Sequence, residues 1–258
     1  VYKRPHTQMG IVQSDVLAFV SRVQTDPVLK RIAKKTKMIF PLYNEEIHLL
    51  GRQGLSDFDD LTGKRVAVGK EGSGTYLTAK LLFEVSDVRP REMIAIGTDD
   101  ALSQLKAGAI DAMFYVAGYP VKLFREDVTE EDRLALIPIL NKSIIEFYPR
   151  AEIPARTYPW QPETINTAAV KAVLVSFNFR RANCEFVGKF GQILNENIDW
   201  LRENGHPKWK SVDLNYPLRG WDQYDCVKQY LVRQTRAPEK SSTEINPIME
   251  AVKDILGQ

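Results

Sequence analysis

The chain has 258 residues, 44% hydrophobic and 26% charged, with a formal net charge of +2, which is enough to bury a substantial core as one large domain or two lobes. Its basic residues are spread rather than clustered, which argues against nucleic acid as a partner. No apolar run approaches the roughly 20 residues of a membrane span. The chain begins at Val1 with no legible leader, and the expectation is a mature or trimmed product.

Residues 9–12 (MGIV) form a short apolar run, followed by Gln13, Ser14 and Asp15 and then by Val16, Leu17, Phe19, Val20 and Val23 at helical spacing. This predicts a strand, a polar turn and a helix. Residues 37–42 and 46–50 read as two strands around Tyr43 and Asn44, and the turn-rich segment 54–64 marks a lobe boundary nearby.

Residues 65–85 (RVAVGKEGSGTYLTAKLLFEV) are the most informative stretch: a β-branched run stops at glycines that open directly into an amphipathic helix. Gly69, Gly72 and Gly74 permit a tight turn, and Ser73 is placed to cap a helix whose first turn holds Gly74, Thr75 and Tyr76. Unpaired N–H groups and the positive end of the helix dipole there suit a carboxylate, phosphate or sulfate. No Lys-Ser/Thr pair follows the last glycine and the spacing is not G-x-G-x-x-G, so neither a nucleotide P-loop nor a dinucleotide fingerprint is present. The alternative is a capped turn that binds nothing.

The pattern then repeats. Residues 94–97 read as a strand, Thr98 or Asp99 as the cap of a helix through Leu102 and Leu105, and Gly108 as its stop before a buried strand at 110–116. In an open α/β sheet ligands sit beyond the carboxyl ends of strands, so residues 72–75 and 115–118 are expected to face one crevice, on parallel strands. Residues 148–161 are proline-rich and aromatic and read as a connector without regular helix. A strand over 167–175 follows, then one long helix over 183–203 with Phe186, Val187, Phe190, Ile193, Leu194, Ile198 and Leu201 on its apolar stripe. From Gly205 the chain is aromatic and loop-rich, with a polar link at 239–243 and a short helix at 247–256. Its aromatics read as packing, because a base-stacking platform needs a basic groove.

Cys184 and Cys226 are compatible with one disulfide in an oxidising compartment or with two buried thiols. His6, His48 and His206 lack metal-ligand spacing. No motif sets a nucleophile beside a histidine or converges paired carboxylates, so an enzyme is not expected. No cofactor is implied.

The runs GIVQSDV (10–16), DLTGKRVAVGKEGSGT (60–75), LKAGAIDAMFYVAGYP (105–120) and ARTYPWQPETINTAAVKAVLV (155–175) resemble, in order and spacing, the TAXI family over roughly residues 10–201. These are the solute-binding subunits of TRAP transporters. The resemblance implies an α/β, two-lobed fold of the type II periplasmic-binding-protein class, each lobe a mostly parallel sheet flanked by helices. Residues 1–50 and 166–204 would form a first lobe, 51–165 a second, and 205–258 an aromatic C-terminal extension. It implies capture, outside the cytoplasm or in the periplasm, of a small carboxylate solute, an amino acid such as glutamate or a dicarboxylate, for delivery to TRAP membrane subunits. Gln13, Ser14 and Asp15 match the turn contributed by the first lobe; Gly72, Ser73, Gly74 and Thr75 match the anion-holding helix start. Tyr115, Val116, Ala117 and Gly118 match the neighbouring wall, and Tyr158 and Gln161 the crossover towards the first lobe. The family carries a further strand and glycine-rich turn upstream, whereas nine residues precede Gly10 here; the first lobe is expected to be incomplete. The other readings kept open are a sensing or protein-interaction module on the same fold and, behind it, an enzyme.

Overall fold

A computed structural model describes residues 8–22, 26–179 and 182–234. Val23 of the first expected helix, the polar link at 239–243 and the helix expected at 247–256 lie outside the described residues.

Strand β1 (Met9–Gln13) leads through the 13–15 turn into α1 (Val16–Arg22), and α2 (Pro27–Lys35) follows. The two strands expected at 37–50 are one, β2 (Thr36–Arg52). Tyr43 and Asn44 do not interrupt it; its register against the partner strand shifts between Pro41 and Asn44, where proline cannot donate to the ladder. After β3 (Arg65–Ala67) come α3 (Gly74–Ser86), β4 (Glu92–Ile94), α4 (Thr98–Lys106) and β5 (Ala112–Ala117). Neither Thr98 nor Asp99 caps α4. The cap residue is Gly97, without a side-chain hydrogen bond, and Thr98 is already helical. Next are α5 (Lys122–Glu126), β6 (Leu134–Leu136), α6 (Lys142–Phe147) and, inside the expected connector, the short strand β7 (Arg150–Ile153). β8 (Ile165–Phe177) completes the sheet.

The eight described strands run β1-β8-β2-β5-β3-β4, with β6 beside the end of β2 and β7 beside the start of β8. The expectation of mostly parallel sheets is corrected. Only β3–β4 and β3–β5 are parallel, and β1–β8, β2–β8, β2–β5, β2–β6 and β7–β8 are antiparallel. Parallel neighbours need a crossover between them, and α3 and α4 supply two in succession only over residues 65–117.

Four apolar clusters stabilise this sheet. On one face of its β5 side, Ile47, Leu49, Phe114 and Val116 pack on α3 through Ala79, Leu82 and Phe83. On the other face Leu50 and Met113 meet Leu102, Leu105, Phe124 and Trp160. Towards the β1 side, Ile39, Phe40 and Leu42 pack with Val187, Leu214, Tyr224 and Val227, while Met38 and Val175 pack with Trp221. The aromatic segment after Gly205 thus belongs to the core around the first third of β2. The long helix expected there is two, α7 (Ala182–Glu196) and α8 (Ile198–Asn204). At the break Asn197 donates its side-chain amide to the Ile193 carbonyl at 2.8 Å, a local bond that competes with the helix ladder. Phe186, expected on the apolar stripe, is 54% exposed, whereas Val187 and Leu201 are buried.

Cys184 and Cys226 form a disulfide, Cα atoms 5.6 Å apart, between α7 and α9 (Asp225–Gln234). It closes a loop with a sequence separation of 42, for which loop-closure entropy gives about 4 kcal/mol. The C184S/C226S double variant should lose roughly 2–4 kcal/mol in urea unfolding relative to the oxidised protein, and reductant should bring the oxidised protein to the same midpoint.

Candidate functional site

The glycine loop folds as its residues dictate. Gly69 and Gly72 take φ of +86° and +81°, the left-handed region that glycine adopts without strain. Ser73, extended, accepts a hydrogen bond on Oγ from the Tyr76 N–H at 3.2 Å and so caps α3. The amides of Gly74 and Thr75 lie in the first turn, where no helical carbonyl precedes them. Gln13, the last residue of β1, lies directly across: a Cβ added to Gly74 would run into its side-chain amide. Gln13 donates Nε2 to Glu45 Oε2 at 2.9 Å, and its Oε1 is buried without a hydrogen-bond partner among the described residues. A cavity of about 290 Å³ opens here, with Gln13 and Glu45 on one wall, Gly72, Ser73 and Gly74 on the other, and Val16 and Leu77 as apolar lining.

The remaining expected residues of the turn point elsewhere. Ser14 is held in the sheet: its N–H donates to the Lys171 carbonyl (2.8 Å), its Oγ accepts from the Lys171 N–H (3.1 Å), and its carbonyl accepts from Trp221 Nε1 (2.9 Å). Asp15 is buried, and its Oδ2 accepts from Thr78 Oγ1 (2.9 Å) and Tyr148 OH (2.8 Å). Burial raises its carboxyl from 3.8 to about 6, against the lowering effect of those hydrogen bonds. Thr75 turns its side chain to the sheet, where Oγ1 accepts from the Val116 N–H at 3.2 Å. So of the two expected segments, residues 72–74 and Gln13 line one cavity, while Thr75 links α3 to β5.

Along β5 successive side chains alternate in face. Val116 joins the α3 side, and Tyr115 and Ala117 pack on the opposite side with Phe124 and its neighbours. Glu45 and Glu46 divide in the same way. Glu46 meets Lys208, whose Nζ is 2.7 Å from both of its carboxylate oxygens; the two side chains are 5% and 12% exposed. The Lys208 ammonium also sits 4.1 Å from the Tyr119 ring centroid, and the Tyr119 N–H donates to Glu46 at 3.2 Å. The aliphatic stem of Lys208 lies over Gly118, where an added Cβ would come within 2.9 Å of it. A second cavity, of about 550 Å³, is lined by Asn44, Glu46, Tyr119, Lys208, Lys210 and Ser211. Glu45, Glu46 and Lys208 did not stand out in the sequence reading. The available signal was a pair of carboxylates inside the apolar strand run PLYNEEIHLL.

Tyr158 and Gln161, matched to the crossover towards the first lobe, are both buried. Tyr158 is fully buried; its hydroxyl donates to His48 Nε2 at 2.8 Å and accepts from the Val121 N–H at 3.1 Å. His48 Nδ1 faces the Glu46 carbonyl at 3.0 Å, so Nδ1 carries the proton and Nε2 accepts. Burial lowers this histidine to about 4, and it is neutral at neutral pH. Gln161 Nε2 donates to the carbonyls of Ile153 (3.3 Å), Pro154 (3.1 Å) and Glu163. Tyr158 ties the connector to His48 on β2 and to the Val121 amide, and Gln161 ties it to the carbonyls of Ile153 and Pro154.

The Glu45 carboxyl is raised chiefly by burial, and the Asp15 and Glu46 carboxylates push it the same way, against the Gln13 hydrogen bond and the charge of Lys208.

Two stability predictions follow from these buried charges. Asp15 titrates higher in the folded state than in the unfolded one, so its contribution is complete below about pH 4 and is lost as pH rises through about 6. That loss amounts to about 3 kcal/mol, and urea unfolding of Asp15→Asn between pH 4 and 7.5 should lack this component. Lys208→Met should cost roughly 3 kcal/mol at pH 7, since it strands Glu46 in the interior. Adding Glu46→Gln to Lys208→Met should recover part of that loss in the same unfolding assay.

Among solved structures, the chain is similar to an ABC uptake transporter substrate-binding protein from Streptococcus pneumoniae with bound histidine, at 15% identity and a TM-score of 0.47 over 73% of this chain and 66% of that one. It is similar to the amino-acid ABC transporter substrate-binding protein AbpA from Streptococcus pneumoniae bound to L-arginine (15%, TM-score 0.42, covering 70% and 64%). The GluR0 ligand-binding core from Nostoc punctiforme in complex with L-glutamate is a third (16%, TM-score 0.40, covering 70% and 65%). The chain thus spans just under two-thirds of the length of each. The model of the NMT1-like family matches residues 3–218, most of the chain, and the protein is a member of the NMT1-like family.

Proposed function

We propose that the chain is a solute-capture protein, the binding subunit of a TRAP-type transporter of the TAXI group, and that it carries out no chemistry on its ligand. The observation that carries this reading is the start of α3: Gly72, Ser73 and Gly74, with Ser73 capping the helix and the Gln13 side chain packed against Gly74, line a cavity of about 290 Å³. A small carboxylate fits there. It would take charge-assisted hydrogen bonds from backbone N–H groups, each worth about 1.5–3 kcal/mol when desolvated, with the helix dipole adding to them.

Residues 1–50 and 166–204 form one lobe in this reading and residues 51–165 the other, with the segment from 205 packed on the first. The chain passes from one to the other near residues 43–50 and 157–167, and bending there closes the cavity over the solute. The closed form is then presented to the membrane subunits. The compartment is extracytoplasmic, in keeping with the Cys184–Cys226 disulfide, since such bonds persist where the surroundings are oxidising.

Thermal unfolding with a panel of amino acids and dicarboxylates tests the assignment. One of them should raise the melting temperature without being converted, and Gly74→Leu, which fills the space before the amides and displaces Gln13, should abolish the shift. An unchanged shift in that variant overturns the assignment of the site.

A further inference from the structure

A carboxylate that stays ionised in a protein interior is normally given a cation, as Glu46 is given Lys208. Asp15 is not. Its side chain is buried, and Oδ2 accepts from the hydroxyls of Thr78 on α3 and Tyr148 just after α6, at 2.9 and 2.8 Å. Oδ1 is buried with no hydrogen-bond partner among the described residues. The groups that act on the carboxyl are its burial, the two hydroxyls and its own backbone, and no cation is among them. Two hydroxyls serve a neutral carboxyl as well as an ionised one, because Oδ2 accepts in both forms. The open Oδ1 costs far less on a neutral group than on a charged one. Around this cluster the contact is apolar: Ala18 and Phe19 of α1 pack on the core cluster that contains Phe83 and Tyr148.

We propose that Asp15, Thr78 and Tyr148 form a clasp that engages by taking up a proton at Asp15 and holds the 13–15 turn against α3. This rests on the two-lobe capture reading given above and adds a regulation to it. Asp15 stands in the first lobe of that reading and Thr78 and Tyr148 in the second, so the clasp is made only while the lobes are closed. Opening returns the carboxyl to water and to its ordinary value of 3.8, whereas burial in the clasp raises it to about 6. The closed form therefore holds the proton more tightly, and closure gains as pH falls through 6 and loses as pH rises above it. Between pH 7.5 and pH 5 this linkage raises the closed-to-open ratio about tenfold. The titratable groups beside Asp15 are the Tyr148 phenol and, on β2, Glu45, whose carboxyl Asp15 pushes up. On α3 the Lys80 ammonium is turned to Tyr76, and on β8 the Lys171 ammonium lies over the Tyr216 ring. Helix α1 carries no carboxylate.

Spin labels at Lys34→Cys on α2 and Lys142→Cys on α6, one in each lobe of that reading and both exposed, test this. Pulsed electron paramagnetic resonance on the unliganded, disulfide-bonded chain gives the closed-to-open ratio from the distance distribution. The ratio should rise about tenfold from pH 7.5 to pH 5. Asp15→Asn, which keeps a neutral acceptor for both hydroxyls, should hold the ratio at its acid value at both pH values. Its melting temperature at pH 7.5 should be no lower than that of the parent, which separates a lost switch from misfolding. Tyr148→Phe and Thr78→Val should each lower the ratio several-fold at pH 5. A ratio that is constant with pH while Tyr148→Phe or an added solute still shifts the distances overturns the clasp and leaves capture standing. So does a pH dependence that survives Asp15→Asn, which assigns it to Glu45. A single distance that no pH, no variant and none of the amino acids and dicarboxylates of the thermal panel moves means that the lobes do not close, and the capture reading fails together with the clasp.

Discussion

The rest of the structure depends on β2 changing partner strands at Glu46, from β8 to β5. Its first part pairs with β8 from Thr36 to Glu46, and its second with β5 from Glu46 to Gly51. A strand in that position alternates its side chains strictly between two packed faces, so two successive carboxylates in its middle cannot share an environment. Glu45 goes to the α3 side and Glu46 to the side of Tyr119 and Lys208. Each needs a partner, and the two partners come from near opposite ends of the chain, Gln13 and Lys208. The middle of β2 therefore gathers β1, the end of β5 and the segment after α8 around one short stretch of backbone.

Polar groups without partners concentrate near that stretch. Among the described residues three buried side-chain atoms lack a hydrogen bond, Gln13 Oε1, Asp15 Oδ1 and Gln161 Oε1, and two of them belong to the 13–15 turn. Two of the three open atoms thus lie within one three-residue turn, against the rule that buried polar groups are paired. Asp15 differs from Gln13 in kind. Its open oxygen is attached to a carboxyl that burial raises to about 6, which protonation can relieve without any ligand. Gln13 cannot titrate, so protonation offers its open oxygen no such relief.

What was legible in the sequence divides by the range of the interaction. The strand, loop and capped helix of residues 65–86 were read directly, because glycine conformation and Ser73 capping are settled within a few residues. The antiparallel pairing of β2 with β8 was not, since strand direction depends on where distant segments return, and local periodicity is the same either way. Lys208 is 162 residues from Glu46, and in sequence it is one lysine in a polar, aromatic stretch. Tyr158 and Gln161 were matched to the crossover by motif position alone; their hydrogen-bond partners, His48 and the carbonyls of Ile153 and Pro154, lie far away in sequence or on backbone and leave no local signal. The break at Asn197 was hidden because the apolar stripe continues across it.

The Lys208–Glu46 pair would constrain the lobe closure proposed above. Trp209, the next residue after Lys208, packs with Ile39, Phe40 and their neighbours, whereas Tyr119 packs with the cluster around Phe124. Lys208 thus joins the two groups of core residues that β2 and β8 also join, on the face opposite the 290 Å³ cavity. A buried ion pair with both carboxylate oxygens engaged resists separation, because pulling it apart exposes one charge to the interior before water can reach it. In that proposal, a motion that narrows the Gln13 cavity without disturbing this pair would pivot close to Glu46. Such an axis would lie within one residue of Glu45, so the carboxylate facing the cavity would be displaced less than the start of α3.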